Sequence, residues 1–101
     1  MGCTYNGFGF IRIGTQDIPV DYSLLENNSN SQYLPTEVES IKVEDDDYQD
    51  RMALFQALGQ PVILTLQNSK EIEIILYHFK DSKGRGDNIF SGAVLPGQKI
   101  I

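Results

Sequence analysis

Apolar residues alternate with polar ones along much of this chain, and such alternation predicts β-strands with one buried face. Residues 8–13 and 18–22 form two predicted strands, and the turn between them begins at Gly14. Pro19 cannot donate a hydrogen bond to a neighbouring strand, so the second strand is expected to lie at an edge of its sheet or to end there. Together the two strands predict a hairpin.

The first predicted strand separates its side chains cleanly into two sets. Phe8, Phe10 and Arg12 share one face, and Ile11 and Ile13 share the other. The strand is rich in aromatic residues. We expect it to pair either within its own sheet or with a neighbouring molecule.

Four more segments have strand-like patterns. They lie at 38–44, 61–66, 71–79 and 89–95. The alternation slips near Ser40, which indicates a β-bulge or a late start of that strand. The segment 61–66 is apolar on both faces, which favours a central position. It is joined to 71–79 by a short polar turn, and this pair is the clearest predicted hairpin.

One helix is predicted at about 46–58, where apolar residues recur at spacings of four, three and three. The residues of this stripe are Tyr48, Met52, Phe55 and Leu58. Gly59 and Pro61 then form a stop signal. We expect the helix to cover an open face or an end of the sheet.

The helix is preceded by the stretch KVEDDDYQDR, whose acids could form a cation site or begin the helix. Asp45 or Asp46 is a suitable N-cap, and Asp47 would lie in the first turn, within reach of Arg51. A calcium loop of the EF-hand type needs Gly at its sixth position and Glu at its twelfth. Neither register of this stretch meets that requirement, so helix capping is the favoured interpretation.

These elements predict an α+β, strand-rich fold in a single domain spanning residues 1–101. The expected order is β-β-loop-β-α-β-β-β, with a mainly antiparallel sheet arranged as a small sandwich or barrel. A polar loop is expected at about 23–36, and the chain ends are expected to be mobile unless they pair with a strand.

The net charge of the chain limits the kinds of partner that it is expected to bind. The net charge is −6, and residues 1–60 carry three basic side chains against ten acidic ones. Binding to a phosphate backbone needs clustered Lys and Arg, so direct nucleic-acid binding is not expected. No apolar run is long enough to cross a membrane, and no signal peptide is predicted. The expected location is the cytoplasm or a virion.

Residues that could carry chemistry are few. Cys3 is the only cysteine and His78 the only histidine, so no disulfide and no zinc site is predicted. His78 alternates with Ile72 and Ile74, and we expect it to be partly buried and hydrogen-bonded. The carboxylate pairs Glu37/Glu39 and Glu71/Glu73 are typical of solvated strand faces. No cofactor is predicted, and the chain is not expected to be an enzyme.

Two further features suggest contacts with other proteins. Arg85-Gly86-Asp87 occurs in integrin ligands, but a flexible turn is the favoured interpretation. The chain ends with two β-branched residues, which could add a strand to this sheet or to a neighbour's. The candidate interface consists of Phe8, Phe10, Ile11, Lys99, Ile100 and Ile101.

The sequence therefore favours a non-catalytic assembly subunit that contacts a protein partner or copies of itself. Small phage virion parts of the tail, baseplate or capsid-cement type share this general character. The alternative is an acidic inhibitor or adaptor that binds a basic groove on a nucleic-acid enzyme. The inhibitor hypothesis requires one continuous acidic patch, formed by Glu37, Glu39, Glu44, Asp46 and Asp50. An enzyme that uses a carboxylate with His78 is the third hypothesis.

Overall fold

The structure is a computed structural model, and it describes residues 3–26, 37–82 and 87–95. In chain order its elements are β1 (Cys3–Ile13), β2 (Gln16–Glu26), β3 (Glu37–Val43), a 3-10 turn (Glu44–Asp46), α1 (Tyr48–Gln56), β4 (Pro61–Thr65), β5 (Glu71–Ser82) and β6 (Asp87–Val94). This order confirms the predicted succession of strands and helix. The chain ends, residues 83–86 and most of the predicted polar loop lie outside the described residues.

The six strands close into an antiparallel barrel in the order β1-β2-β3-β6-β5-β4. The barrel consists of two three-stranded meanders, β1–β3 and β4–β6, and α1 connects them. Closure depends on a short ladder between β1 and β4, in which Phe10 pairs with Thr65, Ile11 with Leu64 and Arg12 with Ile63. The predicted α+β class is confirmed, and the sheet is a barrel.

Alternate side chains of the strands point into the barrel and form one core. The fully buried side chains include Ile11, Ile18, Val20, Leu24, Val38, Ile41, Val43, Leu54, Leu64, Ile72, Ile74 and Phe90. Almost all are aliphatic, and β-branched residues fit well on the pleated inner surface. The strand alternation predicted for Phe8, Phe10 and Arg12 against Ile11 and Ile13 is confirmed, because the second set faces the core.

β2 is not an edge strand, although Pro19 predicts one. It pairs with β1 along its whole length and with β3 from Val20 onward. Pro19 precedes the first β2–β3 pair, Val20 with Val43, so no ladder to β3 is interrupted by the missing N–H. β2 also continues to Glu26, so residues 23–26 of the predicted loop belong to a strand.

Within the described strands, the barrel wall contains three register shifts, and the first, between β2 and β3, lies at Ser23 and Leu24 opposite the irregular part of β3. The bulge predicted near Ser40 is confirmed, since the β3–β6 register shifts between Val38 and Ile41. The third shift, in β5, lies between Leu76 and His78. Tyr77 is the extra residue there, and side chains after it change face, as expected for a β-bulge.

The β5 bulge corrects the expectation for His78. Without the bulge, His78 would point inward with Ile72 and Ile74. With it, His78 is exposed and Phe79 takes the inward position. The single histidine is therefore a surface residue beside Ser91 of β6, and not a partly buried one.

Helix α1 is shorter than predicted and closes one end of the barrel. Leu54 is its fully buried residue, and Ala53 and Leu58 pack against the core beside it. An apolar stripe usually marks the buried face of a surface helix. Here Tyr48, Met52 and Phe55 of the predicted stripe point outward instead.

Candidate functional site

The outer surface of β1 carries two exposed phenylalanines. Phe8 is 63% exposed and Phe10 is 48% exposed. Ile11, which the sequence predicts to be an interface residue as well, is fully buried in the barrel and belongs to the core, so that prediction is wrong. The other candidate interface residues, 99–101, lie outside the described residues.

The two phenylalanines point outward because the inner side of β1 is already filled. Gly7 and Gly9 occupy the inward positions, and the buried ring of Tyr22 from β2 lies against them. A Cβ atom at Gly9 would collide with the backbone carbonyl oxygen of Thr65. The glycines thus allow β1 to approach Tyr22 and β4 closely, and only the outer face has space for phenylalanine.

Gln67 extends the contact between β1 and the end of β4. Its side-chain Oε1 accepts a hydrogen bond from the backbone N–H of Phe8 at 3.2 Å. Its own backbone N–H donates to the hydroxyl of Tyr22 at 3.0 Å. These two bonds replace the backbone ladder beyond the three β1–β4 pairs, so the backbone at Phe8 is held on both sides.

Ion pairs border the same outer surface. The guanidinium of Arg12 lies 3.5 Å from the carboxylate of Asp17 and 3.4 Å from that of Glu71. All three side chains are about half exposed, so these pairs contribute little to stability. They place a charged rim beside an apolar centre, which is the usual composition of a protein interface.

The acidic run before α1 begins the helix, but not at the predicted residue. Asp47 is the N-cap, and its Oδ2 accepts a hydrogen bond from the backbone N–H of Asp50 at 2.9 Å. Asp45 and Asp46 both have positive φ angles, 59° and 51°. The chain therefore turns sharply between β3 and α1, and the cap falls later than Asp45 or Asp46.

Asp46 has a structural role. The buried side chain of Asn88 donates to both of its carboxylate oxygens, at 2.9 and 3.1 Å. The Nε of Arg51 lies 3.0 Å from Asp46 Oδ1, so Arg51 pairs with Asp46 and not with Asp47 as predicted. In the described part of the chain, no three His, Cys, Asp or Glu side chains are grouped to hold a metal ion.

The five carboxylates of the candidate acidic patch are spread out. Glu37 and Glu44 lie at opposite ends of β3, which corresponds to a separation of roughly 20 Å at the usual rise per residue. Glu39 accepts a hydrogen bond from Ser23, at 2.7 Å. Asp46 forms an ion pair with Arg51 and accepts hydrogen bonds from Asn88. The five carboxylates therefore do not form one continuous negative patch.

Among the acids of the described residues, Asp50 is the one whose pKa is clearly perturbed. Partial burial, followed by repulsion from Asp47, raises the pKa of Asp50, while a hydrogen bond from Gln16 opposes the shift. Gln16 Nε2 donates to Asp50 Oδ1 at 2.9 Å and links the start of β2 to α1. A shifted pKa can mark a functional site, but this carboxylate lies at a solvated helix start.

The residues proposed for acid–base chemistry are not brought together. His78 lies on the outer face of β5 near its bulge, and Glu71 lies at the other end of that strand. Glu71 and Glu73 are exposed, as their alternation predicts, and Glu71 faces Arg12. Within the described residues, His78 is therefore paired across the sheet with Ser91, and Glu71 is not brought beside its imidazole.

A cleft of about 570 Å³ lies at the barrel end opposite α1. Its lining consists of Thr4, Tyr5, Asn6, Tyr22, Leu66, Gln67 and Asn68. These side chains are neutral: two tyrosines, three amides, a threonine and a leucine. The sequence contains no local signal for this cleft, because three separate segments form it.

Comparisons with protein-family models, with curated proteins and with solved structures found no significant match to this chain. The described helix is too short and too polar to cross a membrane.

Proposed function

We propose that this protein is a non-catalytic structural subunit that works through protein–protein contacts, and that the outer face of β1 is its main contact surface. One observation carries the proposal. Phe8 and Phe10 are exposed on the same outer face of a closed barrel, and the backbone that carries them is hydrogen-bonded to its neighbours. Aromatic residues are enriched at interface centres, where they contribute most of the binding energy.

The cost of binding at this face is low because the backbone is already ordered. Phe10 lies in the β1–β4 ladder, and Phe8 is held by Gln67. Each described strand of the barrel has a neighbouring strand on both sides, although β1 meets β4 over three residue pairs, and this closed order favours contact through side chains over addition of a strand. Virion parts of the phage tail, baseplate or capsid-cement type are one class with these general properties.

The acidic inhibitor has weaker support. It needs carboxylates that present a continuous negative surface to a basic groove. The five candidate carboxylates are distributed along β3 and the start of α1, and three of them are engaged with other side chains.

The first experiment is the mass of the protein in solution, measured by size-exclusion chromatography with light scattering over a wide concentration range. We expect a discrete oligomer that persists from about 50 mM to about 1 M salt, because apolar contacts are not screened. The double variant Phe8→Ser/Phe10→Ser should be monomeric with an unchanged melting temperature.

Tyr77→Ser is the matched control, since Tyr77 is 63% exposed, as Phe8 is, but lies on another strand. Its oligomeric mass should equal that of the parent protein. An oligomer that is unaffected by the Phe8/Phe10 substitutions would contradict the assignment of the interface to β1. A monomer at every concentration would contradict self-association through this face.

A further inference from the structure

A second apolar surface lies on α1, at the closed end of the barrel. Tyr48 is 64% exposed, Met52 37% and Phe55 49%. Their spacing of four and three residues places them along one side of the helix, opposite the buried Leu54. We call these three residues the helix stripe.

One end of the helix stripe is attached to the core through aromatic rings. The ring of Phe55 meets the ring of Phe79 edge to face, with centroids 5.8 Å apart. Phe79 in turn packs on the fully buried Phe90 at a centroid distance of 4.6 Å. Phe55 is therefore exposed and yet held in place.

The other end is ordered by polar contacts. The guanidinium of Arg51 lies 5.6 Å from the ring centroid of Tyr48, within the range of a cation–π interaction. Arg51 is paired with Asp46, and Asp46 is bonded to the buried Asn88. Surface side chains fixed in this way lose little conformational entropy when a partner binds.

Charge is distributed unevenly along this surface. Glu44, Asp45 and Asp47 are exposed and directly precede Tyr48, whereas the partly exposed Asp50 is turned toward Gln16 of β2. Within residues 44–51 the one basic side chain is that of Arg51, and it forms an ion pair with Asp46. From Met52 to Gln60 the sequence contains no charged residue. The helix stripe thus runs from an acidic end to a neutral end.

We infer that the helix stripe is a docking surface for a basic amphipathic segment of a different protein. The apolar side chains of that segment would cover Met52 and Phe55, and its Lys or Arg residues would meet the carboxylates beside Tyr48. Charge complementarity selects this partner over a second copy of the chain, whose own stripe carries the same acidic end. This inference rests on the proposed function only in one respect: both involve contacts with proteins. The helix stripe is a different surface from the outer face of β1.

The test uses a fluorescein-labelled peptide composed of Leu and Lys in a helical amphipathic repeat, and binding is measured by fluorescence anisotropy. A peptide with Glu in place of every Lys is the control ligand. We expect saturable binding of the Lys peptide and none of the Glu peptide. The affinity should fall as salt rises from about 50 mM to about 500 mM, without disappearing, since part of the contact is apolar.

Three protein variants separate the apolar contribution from the charge. Met52→Gln/Phe55→Ser keeps the net charge and should weaken binding by at least about tenfold. Tyr77→Ser removes a comparably exposed aromatic residue from β5, outside both proposed contact surfaces, and should bind as the parent protein does. Glu44→Gln/Asp47→Asn keeps an N-cap oxygen and should reduce both the affinity and its salt dependence.

The inference is overturned if the parent protein does not bind the Lys peptide. It is equally overturned if Met52→Gln/Phe55→Ser, shown to be folded by circular dichroism, binds as tightly as the parent, because binding would then reflect net charge alone. Binding of the Glu peptide with similar affinity would also refute the charge selection. None of these results depends on the oligomeric mass, so the proposed function can fail or survive independently.

Discussion

The side-chain amide of Asn88, at the start of β6, donates hydrogen bonds to both carboxylate oxygens of Asp46, at 2.9 and 3.1 Å. Asn88 is buried, and Asp46 lies in a left-handed backbone conformation between β3 and α1. Such a conformation costs free energy for a residue other than glycine and persists where the surroundings hold it. This bond therefore fixes how the helix leaves the barrel.

Replacement of Asn88 by Ala should lower the free energy of unfolding by about 1–3 kcal/mol, since the partly buried carboxylate of Asp46 loses one of its two side-chain partners and keeps only Arg51. Denaturant titration measures this value. Asn6→Ala is the control, because Asn6 is exposed on β1, and it should change stability by less than about 0.5 kcal/mol. Equal effects of the two substitutions would show that the Asn88–Asp46 contact does not stabilise the fold.

Replacement of Leu54 by Ala should destabilise the protein by about 2–5 kcal/mol, because Leu54 fills the end of the barrel. Met52→Ala, on the exposed side of the same helix, should change the free energy of unfolding by less than about 0.5 kcal/mol. Thermal or denaturant unfolding of both variants is the measurement. A larger loss from Met52→Ala than from Leu54→Ala would mean that the helix packs through the opposite face.

Replacement of Gly9 or Gly92 by Ala should each cost about 3 kcal/mol or more. At these positions a Cβ atom would collide with the backbone carbonyl oxygen of the neighbouring strand, at Thr65 and Ile75 respectively, and the backbone cannot move aside. Gly14→Ala is the comparison. Gly14 has a φ of +63° and open space around its Cα, so its substitution should cost only about 1–2 kcal/mol of backbone strain.

Urea unfolding of the three glycine variants ranks them. If Gly14→Ala lowers the free energy of unfolding more than the other two variants do, backbone strain in the turn costs more than the collisions between strands. The close approach of β1 to β4 would then be contradicted.

Replacement of Asp47 by Asn should lower the pKa of Asp50, since it removes the repulsion that adds to the effect of burial, while Asn keeps the capping oxygen. The folded-state pKa of Asp50 lies above its ordinary value of 3.8, so the folded protein binds this proton more tightly than the unfolded chain. Its contribution to stability is thus fully present below pH 3.8 and is lost as the pH rises through the folded-state pKa.

An NMR titration of the Asp50 carboxyl carbon tests this directly in the parent protein and in Asp47→Asn. The variant Gln16→Ala should move the pKa of Asp50 in the opposite direction, because the hydrogen bond from Gln16 favours the ionised form. An unchanged pKa in both variants would show that neither neighbour acts on Asp50.

The strands of this protein could be predicted because each depends on a local pattern. Alternation along 8–13 and 71–76 placed the inward and outward residues correctly. The slip near Ser40 correctly predicted a bulge. The turn after β4 and the stop after the helix follow from the conformational preferences of Gly, Pro, Asn and Ser, which act over a few residues.

The candidate site was predictable only in part. Phe8 and Phe10 share a face by alternation alone, but Ile11 was assigned to the interface because the sequence does not show which face is inward. The sequence pattern predicts the helix stripe, but it does not show that this side of the helix faces solvent. Apolar residues occur all around α1, so its pattern does not select the buried face.

The sequence by itself determined the elements and their order, because hydrogen bonding and side-chain alternation within a strand or helix are local properties. The tertiary structure decided what depends on distant partners. The face of His78 follows from a register shift against β6, the position of the helix cap follows from Asn88, and barrel closure follows from the contact of β1 with β4. These partners are separated along the chain, and only the folded backbone brings them within bonding distance.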